Sequence, residues 1–74
     1  MDARERVRFV VRSLYRKSPE GGNLRALTVH EALNMMKTGQ AQPEELANAY
    51  DQARYGQNEP DMQTAERLRK EAKV

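Results

Sequence analysis

Apolar residues recur along this chain at helical spacing, and no stretch alternates as a β-strand would. Val7, Val10, Val11 and Leu14 fall at i, i+3, i+4 and i+7, with Tyr15 beside them. That stripe predicts one buried face on a helix from Asp2 to about Lys17. Asp2 and Glu5 near its start, and Arg16 and Lys17 at its end, suit the helix dipole. A second stripe, Val29, Ala32, Leu33 and Met36, follows Thr28. Thr28 and Glu31 have capping-box spacing, in which the hydroxyl accepts from the Glu31 amide and the carboxylate reaches back. Gly39 is the expected left-handed cap of this second helix.

The best-punctuated stretch runs from Pro43 to Gly56. A proline opens it, Glu44 and Glu45 occupy its first turn, and Leu46, Ala49, Tyr50 and Ala53 form its stripe. Gly56 is read as a left-handed exit, with Tyr55 packed under the turn that follows and its hydroxyl at the surface. A fourth helix starts at Pro60 or Asp61 and turns Met62, Ala65, Leu68 and Ala72 inward. Residues 18–27 read as a loop by their Pro, Gly-Gly and Asn, with Leu24 and Leu27 able to tuck back onto the core. The fold class is therefore all-α, a small compact bundle of about four short helices.

Composition narrows what such a bundle can be. Seventy-four residues make a single domain, and a core of that size supports about 3–5 kcal/mol of stability. There is no cysteine, which removes disulfides, a thiolate nucleophile and thiolate metal ligation. The longest apolar run is Phe9 to Val11, far short of a membrane span, and no apolar leader follows Met1. A chain that starts directly on a charged helix reads as a fragment of a larger protein. Net charge is only +2 but uneven: residues 1–17 carry +4, 18–60 carry −3 and 61–74 carry +1.

Candidate chemistry is sparse. His30 is the only histidine and has no ligand-spaced partner, so it reads as a surface residue and not as a metal ligand. Ser13 and Ser18 lack any nucleophile context. Glu44 and Glu45 are adjacent and diverge by about 100° on a helix, which suits the dipole better than acid–base work. Asp51 and Arg54 are spaced as an ordinary helix-surface pair. The charge that remains is Arg4, Arg8, Arg12 and Arg16, a basic ridge beside the stripe of the first helix, with Phe9 on neither face. The ridge has three readings. It can be a solvated face whose arginine stems cover the core edge, a nucleic-acid surface, or a juxtamembrane segment drawn to anionic lipid. Phe9 is either exposed or covers an interface.

The order of elements adds a resemblance. Val11, Leu14 and Tyr15, then Thr28 and Glu31, then Leu46, and above all Tyr50, Ala53, Arg54, Tyr55 and Gly56 carry it. Together they resemble a domain of unknown function at the C-terminus of bacterial and archaeal membrane proteins, many of them transglutaminase-like. The resemblance covers nearly the whole chain, and its specific part is the Y-x-x-A-R-Y-G segment. It implies an extracytoplasmic transglutaminase-like module, a transmembrane helix and then this domain on the cytoplasmic side. The catalytic Cys, His and Asp of such a module would lie upstream. The expectation is a non-catalytic cytoplasmic accessory or interaction domain without a cofactor, monomeric as a fragment. Its partner would be an anionic membrane surface or a cytoplasmic protein. The alternative is a small nucleic-acid-binding helical domain that uses the arginine ridge.

Overall fold

The computed structural model describes residues 2–19, 21–24 and 26–74. Among these residues five helices follow one another: α1 Ala3–Lys17, α2 Gly21–Leu24, α3 Val29–Met35, α4 Pro43–Tyr55 and α5 Met62–Ala72. Four of them are the expected helices. The one-turn α2 lies inside the stretch expected to be a loop, of which Glu20 and Arg25 lie outside the described residues. No strand occurs among the described residues.

The start signals act as their chemistry demands. The Asp2 carboxylate accepts from the Glu5 amide, the Asp61 carboxylate from the Gln63 amide, and Thr28 forms the full capping box with Glu31. Pro43 opens α4 with Glu44 and Glu45 in the first turn, and no side chain caps it. The two glycine exits behave differently from expectation. Gly56 has φ −74°, extended backbone open to any residue, so it ends α4 without a left-handed turn. Gly39 is left-handed at φ +61°, but α3 already ends at Met35 with an extended Met36 cap. Gly39 instead sits in the turn between Thr38 and Ala41. There the Ala41 amide donates to the Thr38 carbonyl at 3.1 Å, and the Thr38 hydroxyl donates to the Ala41 carbonyl at 2.8 Å. The Gln40 amide donates to the Glu71 carbonyl at 2.8 Å, which docks this turn against the end of α5.

Although Pro43–Gly56 is the best-punctuated stretch, α1 is the centre of the bundle. It packs against α4 and α5, α2 returns onto α1, and α3 covers α4. The main core joins Val10, Val11 and Leu14 of α1 to Leu33, Leu46, Ala47, Leu68 and Ala72. Burying a leucine or valine side chain contributes about 1.5–3 kcal/mol each, so these few residues hold most of what a domain this size has. A second cluster, Ala3, Val7, Ala53 and Ala65, is built from small residues that let α1, α4 and α5 approach closely. Tyr50 is half-buried and packs against both clusters.

Two residues expected inside are not. Met62 is 41% exposed, because it is the first residue of α5 and precedes the turn that meets α1. Tyr55 is 73% exposed, because the extended exit at Gly56 carries the chain away without folding back over the ring.

Candidate functional site

The basic ridge divides between two jobs. Arg4 is half-buried and turns into the fold, where its guanidinium donates to the Ala53 carbonyl at 3.0 Å and to the Gly56 carbonyl at 3.1 Å. It caps the C-terminal end of α4, where a cation is favoured by the dipole and satisfies carbonyls that the helix leaves open. Arg6, off the ridge, pairs with Glu66 of α5, which also accepts from Arg69 at 3.5 Å. Arg8, Arg12 and Arg16 make no hydrogen bond or ion pair among the described residues, and Arg12 and Arg16 are exposed. Phe9 is 40% exposed on the same helix, three residues before Arg12 and seven before Arg16, so it lies among these guanidiniums.

Arg12 and Arg16 open onto a cleft between α1 and α4. Arg54 reaches it from the last turn of α4, Tyr15 and Tyr50 supply ring surface, and Leu27 and Val29 supply aliphatic surface. The cleft is open to solvent and has a volume of about 470 Å³. Arg54 does not pair with Asp51 as its spacing suggested. Its Nη1 donates to the Tyr50 hydroxyl at 3.1 Å, and its guanidinium lies 5.1 Å from the Tyr55 ring centroid and 5.7 Å from that of Tyr50. The bond to Tyr50 and the two electron-rich rings all favour the charged form and push the Arg54 pKa up. Tyr50, Arg54 and Tyr55 of the Y-x-x-A-R-Y-G segment thus hold a guanidinium in place at the surface. Ala53 of that segment is core, and Gly56 ends the helix.

Asp51 is engaged elsewhere. His30 is not a plain surface residue: its Nε2 lies 2.7 Å from Asp51 Oδ2 and its Nδ1 lies 3.1 Å from Glu44 Oε2. Both nitrogens face carboxylates on α4, so an imidazolium can donate to each. The hydrogen bonds to Asp51 and then Glu44 raise the His30 pKa above 6.5. The two ring nitrogens point to different carboxylates, and no group of three ligands able to hold a metal ion exists among the described residues. Glu44 and Glu45 diverge as expected, Glu44 to His30 and Glu45 to Arg67 of α5.

Sequence spacing could not reveal the Arg4 cap or the His30 bridge. Each joins residues on different helices, with 49 positions between Arg4 and Ala53 and 21 between His30 and Asp51. No helix of the described residues is long and apolar enough to cross a membrane. Comparison with protein-family models, with curated proteins and with solved structures gave no match to this chain.

Proposed function

We propose that this domain is a non-catalytic accessory domain on the cytoplasmic side of a membrane-anchored transglutaminase-like protein, and that it meets an anionic membrane surface through the outward face of α1. One observation carries the reading: Arg4 is used inside the fold, whereas Arg8, Arg12 and Arg16 have no hydrogen-bond or ion-pair partner among the described residues and stand beside the half-exposed Phe9. The apolar face of α1 is buried in the core, so contact with a membrane would come from the guanidiniums of its outer face and the exposed ring beside them. Each such charge near an anionic leaflet contributes about 1 kcal/mol, and the ring adds apolar contact. The resemblance carried by Tyr50, Ala53, Arg54, Tyr55 and Gly56 supplies the topology, in which an upstream span delivers α1 to the inner surface.

Two measurements test the reading. The open reading frame upstream of Asp2 is expected to encode a hydrophobic span of about 20 residues, and its absence would remove the topology. In vesicle sedimentation the domain is expected to bind phosphatidylglycerol vesicles at low salt and to leave neutral phosphatidylcholine in solution. Replacing Arg8, Arg12 and Arg16 by Gln should abolish that binding. Salt-sensitive binding to duplex DNA without binding to anionic vesicles would replace the membrane reading with the nucleic-acid one.

A further inference from the structure

The cleft between α1 and α4 gathers like charge that no described carboxylate relieves. Arg12 and Arg16 from one helix and Arg54 from another line a single cavity, and none of the described carboxylates lines it with them. The carboxylate next along α4, Asp51, faces His30. Gathering three guanidiniums in one cleft is repulsive, and an anion reverses the sign of that interaction.

We propose that this cleft is a binding site for a phosphate monoester, with the phosphate held by Arg12, Arg16 and Arg54 and the ester group laid against Tyr15, Tyr50, Leu27 and Val29. The membrane reading above bears only on the source of the ligand, a lipid headgroup or a soluble monoester. The chemistry stands on the residues of the cleft.

Charge selects the dianion. A monoester carries between −1.5 and −2 near pH 7 and offers three acceptor oxygens, whereas a diester or a sulfate ester carries a single charge. Planar guanidinium forks match phosphate oxygens in pairs, which a point charge cannot do. Arg54 is already positioned: bonded to the Tyr50 hydroxyl at 3.1 Å and lying near two rings, it has less freedom to lose on binding than a free surface arginine. The Tyr50 hydroxyl accepts from Arg54, which leaves its own proton to donate to a phosphate oxygen. The remaining walls are ring and aliphatic surface, and about 470 Å³ accommodates a phosphate with one small organic group and not a folded partner.

The test titrates the 74-residue protein with phenyl phosphate, phenyl sulfate and a phosphate diester, followed by amide and arginine side-chain NMR signals. Phenyl phosphate is expected to give saturable shifts confined to residues 12–16, 27–29 and 50–55. Its affinity should exceed that of the sulfate and the diester by about tenfold, and should rise with pH through the second phosphate ionisation at about 6. R12Q and R54Q should each weaken it about tenfold, the loss of one charge-assisted contact. Tyr50→Phe, which keeps the ring, should weaken it several-fold with an unchanged melt. Shifts that never saturate, or equal affinity for sulfate and monoester, or an unaffected R54Q, would overturn the site.

Vesicles of phosphatidic acid and of phosphatidylglycerol at matched surface charge then separate the sources. Binding of phenyl phosphate without vesicle binding keeps the site and sinks the membrane reading. Vesicle binding without headgroup preference and without phenyl phosphate binding keeps that reading and sinks the site. Preference for phosphatidic acid, competed by phenyl phosphate, supports both.

Discussion

His30 Nε2 and Asp51 Oδ2 stand 2.7 Å apart, joining the first turn of α3 to the middle of α4. With Glu44 on the other ring nitrogen, the histidine links a seven-residue helix, too short to be stable alone, to the longer helix it covers. The link depends on protonation, because an imidazolium donates from both nitrogens and a neutral ring from only one.

The His30 pKa is raised in the folded state, by the Asp51 hydrogen bond first and the Glu44 bond second. Its contribution to stability is therefore full below 6.5, the unfolded value, and fades as pH rises through the higher folded value. The single histidine makes the measurement unambiguous. Its ring-proton NMR titration should give a midpoint above 6.5, and Asp51→Asn should return it toward 6.5. A midpoint at or below 6.5 in the wild type would mean the bridge is absent in solution.

Two carboxylates act in the opposite direction. Glu31 is held below 4.5 by the Thr28 backbone amide and hydroxyl, and Glu45 below 4.5 by the Arg67 guanidinium. A depressed carboxylate stabilises the fold above its unfolded value and loses that contribution as pH falls through its folded value. The melting temperature should therefore peak between about pH 5 and 6.5, falling on the acid side from the carboxylates and on the alkaline side from His30. Thr28→Ala should flatten the acid limb and leave the alkaline limb in place.

Much of this fold was legible because its signals are local. Asp2, Thr28, Pro43 and Asp61 mark helix starts through groups two or three residues away. Val7, Val10, Val11 and Leu14 mark a buried face through a spacing that one helix sets by itself. The misreadings fall where a residue answers to a partner distant in sequence. Arg4 looked like the first member of a ridge until α4 ended beside it, and Asp51 had Arg54 within reach but took His30. The same holds for the cleft, since Arg12 and Arg16 meet Arg54 only through the packing of α1 on α4. Gly56 and Gly39 carry the same letter in similar settings. Which of them turns left-handed was decided by how the chain continues: Gly56 runs on extended, whereas Gly39 must turn back onto α5.

The split within the ridge has a direct thermodynamic consequence. Arg4→Ala removes a charge-assisted cap from the Ala53 and Gly56 carbonyls and should destabilise by about 1–2 kcal/mol. In a domain of this size that lowers the melting temperature by about 4–8 °C per kcal/mol. Arg12→Ala, at an exposed position with no partner among the described residues, should stay within about 0.5 kcal/mol. Equal melts for the two variants would mean that Arg4 belongs to the outward face after all.

Gly39→Ala should be the most damaging of the small substitutions. The backbone there is left-handed at φ +61°, which costs an L-residue about 1–2 kcal/mol. The added methyl would also press into the Glu71 carbonyl oxygen, a backbone atom that cannot turn aside, where the Gln40 amide now donates at 2.8 Å. Conformational and steric costs together should exceed about 2 kcal/mol in denaturant unfolding. Gly39→Asn separates the two: asparagine tolerates the left-handed region but still carries a Cβ, so it should recover only part of the loss. Gly56→Ala provides the contrast. Its φ of −74° suits alanine, and the new Cβ would meet the flexible Gln52 side chain as well as the Gln52 carbonyl at 2.7 Å. Its cost should come from crowding alone and fall below that of Gly39→Ala. The reverse order would show that the turn between Thr38 and Ala41 does not rest on the end of α5.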